Sequence, residues 1–284
     1  MKDLAALMKL KLSFLVVLSA VLGYFMGTSS PQLAEVLALA LGGVLLTGGS
    51  NGFNQIWERN QDALMNRTKH RPLPSGSLSV SAAVIWCLFI SIAGITILWT
   101  LLNPFCGILG MLALYSYVFL YTPLKRVNSI NVTVGAFPGA IPPMLGYVAA
   151  SGSFGLEPGL LFALQWMWQF PHFWAIAWVA KGDYDKGGFK MLPFNLGKTR
   201  FTAWYIALSA LMLIPVSIIP WFIGNDGAMI GNIAGISTLI LGVLFFLAAL
   251  RFAITLKDSH AKTVMFGSFI YLPVVQILFV LDKI

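Results

Sequence analysis

Long apolar runs dominate this chain and decide what it can fold into. Nine segments are nearly free of charge and reach or approach the roughly 20 residues that a helix needs to cross a bilayer. They cover about residues 10–27, 33–57, 80–102, 104–121, 131–150, 158–180, 201–223, 229–250 and 264–281. This pattern predicts an all-α polytopic membrane protein with nine transmembrane helices.

The composition excludes several other classes of protein. Hydrophobic residues make up 58% of the 284 residues and charged residues only 10%, whereas a soluble domain carries about 25% charged residues. The mean hydropathy is +0.83. A disordered chain, a disulfide scaffold and an ordinary soluble enzyme do not fit these values. Cys87 and Cys106 lie far apart inside apolar runs, so they are expected to be buried packing residues.

Basic residues fall almost entirely on one side of the predicted bundle. Of the 18 Lys and Arg residues, 17 precede the first span or follow an even-numbered span, and only Lys283 lies on the other side. That other side carries Glu35, Glu157, Asp226 and Asp282. The positive-inside rule then places the N-terminus in the cytoplasm and the C-terminus outside. The chain shows no Arg- and Ser-rich transit segment, which favours the bacterial inner membrane. The net charge of +8 is thus explained by topology, and no nucleic-acid partner is expected.

Two loops on the basic side are longer than the others. They cover residues 59–79 and 181–200 and follow the second and sixth spans. Long loops in a compact bundle are usually functional. We therefore expect one intramembrane domain over residues 1–284, with its chemistry in these two cytoplasmic loops.

A first polar cluster stands at the end of the second span. Asn54, Glu58 and Asp62 follow one another at intervals of four residues, so on a helix they share one face. Oxygen-bearing side chains suit Mg²⁺, and Arg67 and Arg71 follow in the loop, where guanidinium groups suit phosphate. The cluster indicates Mg²⁺ bridged to phosphate, and the alternative is a solvated helix end with surface ion pairs.

A second polar cluster occupies the end of the sixth span. Gln165, Gln169 and His172 form a stripe in an aromatic segment, and Asp183 follows in the loop. A histidine in such a position can ligate haem iron, act as a general base or make a structural hydrogen bond. Lys125 and Arg126 follow the fourth span. They either contact phosphate or only contribute to the positive charge that the positive-inside rule places on the cytoplasmic side.

Four ordered motifs resemble a known family. They are Asn54-Gln55-xx-Glu58-xxx-Asp62-xxxx-Arg67-Thr68-xx-Arg71-Pro72-Leu73-Pro74-Ser75-Gly76, Tyr121-Thr122-Pro123-Leu124-Lys125-Arg126, Pro171-His172-Phe173-Trp174-Ala175 and Asp183-Tyr184-xx-Gly187-Gly188-xx-Met191-Leu192-Pro193. Together they are similar to the intramembrane prenyltransferases of the UbiA superfamily, and within it to the branch that farnesylates protohaem. Lys9-Leu10-Lys11 before the first span fits the same branch.

The resemblance implies a nine-helix bundle around a central cavity that the cytoplasmic loops cap. It implies transfer of farnesyl from farnesyl diphosphate to a vinyl group of haem b, with water added to give haem O, and Mg²⁺ or a similar divalent cation as cofactor. The implied metal ligands are Asn54, Glu58, Asp62 and Asp183. The implied diphosphate ligands are Arg67, Arg71, Lys125 and Arg126. Asp62 and Asp183 would be catalytic, and so would His172, as an iron ligand or a residue that positions haem. Haem A synthase or assembly proteins of a terminal oxidase are possible partners.

The chain departs from the general pattern of the superfamily. Gln55 and Glu58 stand where that pattern has aspartates, and Asp183 has no second aspartate four residues away. The departure leaves open whether one or two metal ions bind.

Two alternative functions stay open: a prenyltransferase acting on an aromatic quinone precursor, and a cation-coupled transporter. A transporter site usually lies near the bilayer midplane, whereas these acids and bases gather at one face.

Overall fold

The structure is a computed structural model that describes residues 2–225 and 227–284. Asp226, one of the acids assigned to the outer side, therefore lies outside the described residues. The helices are α1 (Lys2–Met8), α2 (Leu10–Gly27), α3 (Leu33–Asp62), α4 (Val80–Ile97), α5 (Pro104–Tyr115), α6 (Thr122–Val127), α7 (Asn131–Ser151), α8 (Leu156–Val179), α9 (Lys181–Lys186), α10 (Arg200–Ile218), α11 (Asn232–Thr255) and α12 (Asp258–Leu281). Wider π-helical turns extend α4 to Leu102 and join α5 to α6, and 3₁₀ turns cover Pro193–Asn195 and Ile219–Trp221.

Eight helical segments within the described residues are long and apolar enough to cross a membrane. They are Leu10–Gly27, Leu33–Asp62, Val80–Leu102, Pro104–Val127, Asn131–Ser151, Arg200–Trp221, Asn232–Thr255 and Asp258–Leu281. The helix α8 has 24 residues but is less apolar, because Gln165, Gln169 and His172 interrupt it. The all-helical prediction is thus confirmed, while the count of nine spans and the orientation of the termini stay predictions.

The second predicted span is longer than the sequence indicated. The helix α3 continues past residue 57 and ends only at Asp62. Its last charged side chains find partners on neighbouring segments, so the hydrophobic pattern stops before the helix does. The loop predicted at 59–79 therefore begins at residue 63, and the one predicted at 181–200 opens with the short helix α9.

Polar side chains join the central helices to one another. Gln165 on α8 accepts hydrogen bonds from Ser19 Oγ on α2 (2.6 Å) and from Gln276 Nε2 on α12 (3.0 Å). It also donates to the carbonyl oxygen of Gly139 on α7 (2.7 Å). Hydrogen bonds between membrane helices fix their mutual register. This cluster therefore sets the arrangement of four helices on which the loops are mounted.

Close backbone contact between α2 and α7 gives a first testable prediction. A Cβ atom added at Gly146 would lie 1.7 Å from the backbone oxygen of Ala20, so the helices would have to separate. We expect Gly146→Ala to destabilise the protein by about 1–3 kcal/mol, measured as a lower midpoint of thermal unfolding in detergent. Gly159→Ala is the matched control, because no heavy atom lies within 4 Å of its added Cβ. Equal midpoints for the two variants would contradict the prediction.

Candidate active site

The first predicted cluster forms one buried face at the end of α3. Asn54, Glu58 and Asp62 are only 1%, 5% and 0% exposed, and the helix is continuous through all three. Burying a carboxylate is costly unless a partner compensates its charge. The alternative of a solvated helix end with surface ion pairs is therefore excluded by the burial.

Each carboxylate of this face pairs with a cation from a different segment. Glu58 Oε1 lies 2.9 Å from the Nζ of Lys125 on α6, and Asp62 Oδ2 lies 2.7 Å from a guanidinium nitrogen of Arg71 in the first loop. The side chain of Lys125 also packs against the ring of Tyr121, with its Nζ 4.5 Å from the ring centre. Acids and bases that are far apart in the sequence thus share one partly enclosed cluster.

Asp183 joins the two long loops. Its carboxylate oxygens accept hydrogen bonds from the backbone N–H groups of Asn66 (3.3 Å) and Arg67 (3.1 Å). The guanidinium of Arg67 lies over the ring of Tyr184, 5.7 Å from its centre. Beyond α9, the N–H of Lys190 donates to the carbonyl of Lys125 (2.7 Å). Both loops and α6 therefore meet beside the end of α3.

The donor atoms of the cluster fit a hard divalent cation. Asp62 Oδ1 is buried and has no hydrogen-bond partner, and such an orphaned oxygen requires an explanation such as an ion. Among the described residues, no group of three or more His, Cys, Asp and Glu side chains is arranged to hold a metal. Asp183 is therefore not gathered with Glu58 and Asp62 into one carboxylate cage. Mg²⁺ commonly binds through one or two carboxylates and takes its other oxygens from water and substrate phosphates, which suits this donor set.

Arg126 stands apart from the cluster. It is exposed and makes no ion pair with any residue that the structure describes. Its neighbour Lys125 points to the acids instead. The structure thus separates the basic pair that the sequence treated together.

His172 lies between α8 and α12. Its Nδ1 is 2.7 Å from Ser268 Oγ, and that hydroxyl donates to the carbonyl of Met265 (2.6 Å). Since a hydroxyl carries one proton, Nδ1 is left as the donor and Nε2 keeps its lone pair. The imidazole stacks on Trp168 with ring centres 4.3 Å apart. The structure therefore supports the histidine by a hydrogen bond and by packing, and no contact links it to the carboxylates of α3.

The sequence missed a further cation at the cluster. Lys9, between α1 and α2, places its Nζ 3.5 Å from Asn54 Oδ1. Burial, reinforced by the charges of Arg71 and Lys125, lowers the pKa of Lys9 to about 7. The sequence placed Lys9 in the segment Lys9-Leu10-Lys11, which fits the resemblance, but assigned it no role in the site. Its position depends on a contact across 45 residues, which no local pattern encodes.

An apolar groove lies beside the second loop. It has a volume of about 620 Å³, within the range typical of ligand pockets, and is lined by α7, α8, α10 and residues 193–194. Trp166, Leu208 and Met212 in its walls are exposed, so it opens on the outer surface of the bundle. It is not the central cavity that the resemblance implied, and that cavity stays a prediction.

Comparisons with known proteins agree with this architecture. The family model described as the UbiA prenyltransferase family matches residues 16–271. A protein of Christiangramia forsetii named "Protoheme IX farnesyltransferase" is 45% identical over 283 residues, covering 100% of this chain and 94% of its own. A protein of Flavobacterium psychrophilum with the same name is 42% identical and covers 99% and 94%.

Solved structures show the same fold at low sequence identity. A digeranylgeranylglyceryl phosphate synthase matches with a TM-score of 0.79 and 16% identity, over 99% of this chain and 97% of its own. A UbiA homologue from Archaeoglobus fulgidus, bound to GPP and Mg²⁺, matches with a TM-score of 0.64 and 12% identity, over 98% and 99%. The fold and the site define a prenyltransferase that crosses the membrane several times. The chain belongs to the UbiA prenyltransferase family.

Proposed function

We propose that this protein transfers the farnesyl group of farnesyl diphosphate to a vinyl group of haem b, with addition of water, to give haem O. The observation that carries the proposal is the buried cluster of two carboxylates paired with Lys125 and Arg71. The carboxylates of this cluster can hold a divalent cation, and its basic side chains can bind the negative oxygens of a diphosphate. The relatives that match nearly the whole chain are named protoheme IX farnesyltransferases, which supports haem as the acceptor.

The residues of the cluster divide between metal and diphosphate. Asn54, Glu58 and Asp62 would hold the divalent cation. Arg71, Lys125 and Arg67 would bind the diphosphate oxygens, as guanidinium and ammonium groups do. Asp183 and Arg126 remain candidates for the same two tasks. When bound, the cation adds positive charge where the diphosphate becomes negative, which favours departure of this leaving group.

These roles determine which bonds break and form in the reaction. The bond between the farnesyl C1 and the diphosphate oxygen breaks, and both electrons leave with the diphosphate. The vinyl group then forms a carbon–carbon bond to C1, and the cation left on the haem side chain takes up water and loses a proton. Lys125 and Arg71 stabilise the negative charge that develops on the departing diphosphate. The rings of Tyr121 and Phe189 beside Lys125 would keep bulk water from the allylic cation.

The remaining assignments complete the proposal. The enzyme is a single domain over residues 1–284 with nine spans around a central cavity, and α8 is the span of lowest hydropathy. It lies in the bacterial inner membrane with the N-terminus and both long loops in the cytoplasm. The basic residues of those loops support this orientation. Haem A synthase or oxidase assembly proteins would take the product.

A direct assay tests the proposed reaction. Purified protein in detergent is incubated with haem b, farnesyl diphosphate and Mg²⁺, and the extracted haems are analysed by mass spectrometry. We expect a species heavier than haem b by one farnesyl group plus water. Active, folded protein that prenylates 4-hydroxybenzoate but not haem b would overturn the haem assignment. Cation-driven transport without any prenylation would overturn the reaction itself.

The role of His172 has its own test. We expect His172→Ala to raise the KM for haem b about tenfold, by analogy with the loss of a metal-site partner, while the KM for farnesyl diphosphate stays unchanged. His260→Ala is the control, since His260, in the first turn of α12, hydrogen-bonds Thr255 at the end of α11. If both KM values of His172→Ala equal those of the control, the histidine is only a packing residue beside Ser268.

A further inference from the structure

Lys9 has an unusual backbone conformation. It stands between α1 and α2 with φ 49° and ψ 53°, in the left-handed region. Residues with a side chain rarely adopt this region, and such strain persists only where the surroundings impose it. The contacts around Lys9 therefore need to explain why the chain turns in this way.

The helix α3 imposes the turn through two amide side chains. Gln55 Nε2 donates to the carbonyl of Leu7 (2.6 Å), and Asn51 Nδ2 donates to the carbonyl of Met8 (3.3 Å). Ser13 Oγ also donates to the Met8 carbonyl (2.9 Å). The backbone just before Lys9 is thus tied to the helix that carries the two buried carboxylates. Fixing it there aims the lysine side chain at the cluster.

The ammonium group of Lys9 has no carboxylate partner among the described residues of the cluster. Glu58 and Asp62 already pair with Lys125 and Arg71, and within the described residues no carboxylate lies within 4.0 Å of Lys9. Among the described residues, the hydrogen bond of its ammonium group is to the neutral amide oxygen of Asn54, at 3.5 Å. Three basic side chains, Lys9, Lys125 and Arg71, therefore lie beside two carboxylates. A partly buried ammonium without a counter-charge is unfavourable, and an anionic ligand would supply that counter-charge.

We propose that Lys9 binds the diphosphate of the prenyl substrate, and that Gln55 positions it through the backbone of Leu7. The inference rests on the proposed function and deepens it. The ligand class is a diphosphate ester, whose oxygens accept charge-assisted hydrogen bonds from an ammonium. Gln55 stands where the general superfamily pattern has an aspartate, and here its amide holds backbone instead of metal.

Direct binding tests this assignment without haem. Titration calorimetry measures the Kd of farnesyl diphosphate, and separately of inorganic diphosphate, with Mg²⁺ for full-length protein in detergent. We expect Lys9→Met to weaken both about tenfold to hundredfold, as loss of a hydrogen bond to a charged group does. Lys11→Met is the matched control, because Lys11 is exposed and only two residues away. Equal Kd values for Lys9→Met and Lys11→Met would overturn the proposal.

Three further variants separate binding from folding. Lys9→Arg keeps the charge and is expected to stay within about threefold of the wild-type Kd, whereas a purely structural lysine would not be rescued in this way. Gln55→Leu is expected to weaken binding, and the double variant Lys9→Met/Gln55→Leu to bind no worse than Lys9→Met alone, because residues that act through one another are not additive. Additive losses would overturn the positioning role of Gln55. A protein that binds farnesyl diphosphate through Lys9 but leaves haem b unchanged would refute the proposed acceptor and not this inference.

Discussion

Asp62→Asn is expected to lower kcat about 10²- to 10³-fold, as loss of one group that stabilises transition-state charge does. The substitution keeps the size of the side chain but removes its charge. Asp62 Oδ1 is a buried oxygen without a hydrogen-bond partner among the described residues, and unlike Glu58 Oε1 it makes no ion pair, so it is well placed to hold a cation. Turnover of farnesyl diphosphate and haem b at several Mg²⁺ concentrations would measure the loss.

A surface aspartate provides the control for this variant. Asp185 pairs with Lys181 at 2.6 Å, and its side chain is 56% exposed. Asp185→Asn should therefore keep wild-type turnover. The thermal midpoint of Asp62→Asn must be measured too, because its ion pair with Arg71 is lost. A folded Asp62→Asn enzyme that keeps a tenth of wild-type kcat would show that Asp62 is no metal ligand.

Arg71→Ala is expected to raise the KM for farnesyl diphosphate about tenfold to hundredfold. A hydrogen bond to a charged group contributes about 1.5–3 kcal/mol, which corresponds to that range. In the free protein Arg71 is paired with Asp62, so the guanidinium is already directed to the site. Arg71→Lys should fall between wild type and Arg71→Ala, since a lysine cannot bind two oxygens side by side. Steady-state kinetics with each substrate varied in turn would measure the effect.

Arg59 serves as the matched control for Arg71. It is exposed, and its guanidinium donates to the carbonyl of Ile56 in its own helix. Arg59→Ala should leave both KM values unchanged. If Arg71→Ala instead raises the KM for haem b and not that for farnesyl diphosphate, the arginine contacts the acceptor and its diphosphate role is wrong.

Much of the architecture was readable from the sequence, because the physical constraints are local. Apolar runs of sufficient length predict helices, and the spacing of Asn54, Glu58 and Asp62 predicts one shared face. The prediction for that face is confirmed by the continuous helix. Membership of the prenyltransferase family followed from four ordered motifs and is confirmed by the family model. The apolar run ends near residue 57, whereas α3 continues to Asp62, because Arg71 and Lys125 compensate the charges of Asp62 and Glu58.

The rest of the site depends on contacts that only folding creates. Sequence alone treated Lys125 and Arg126 alike, but one lies 2.9 Å from Glu58 and the other is exposed. It placed Gln165 and Gln169 in one polar stripe with His172 but gave no partners for them, and both donate to carbonyls of α7. Lys9 was noted in the segment Lys9-Leu10-Lys11 but given no role in the site, because a left-handed turn and two amide contacts place it. Two residues that are adjacent in the sequence need not point in the same direction or contact the same partner.

The contact between Asp183 and the first loop has a consequence for how the protein is made. Arg67 precedes Asp183 by 116 residues, and synthesis at roughly 5–20 residues per second needs about 6–23 s to cover that distance. During that interval the N–H groups of Asn66 and Arg67 lack the carboxylate that binds them in the finished molecule. The nascent chain therefore carries Glu58 and Asp62 long before Asp183 can join the two loops, and the loops can meet only after α8 and α9 have been synthesised.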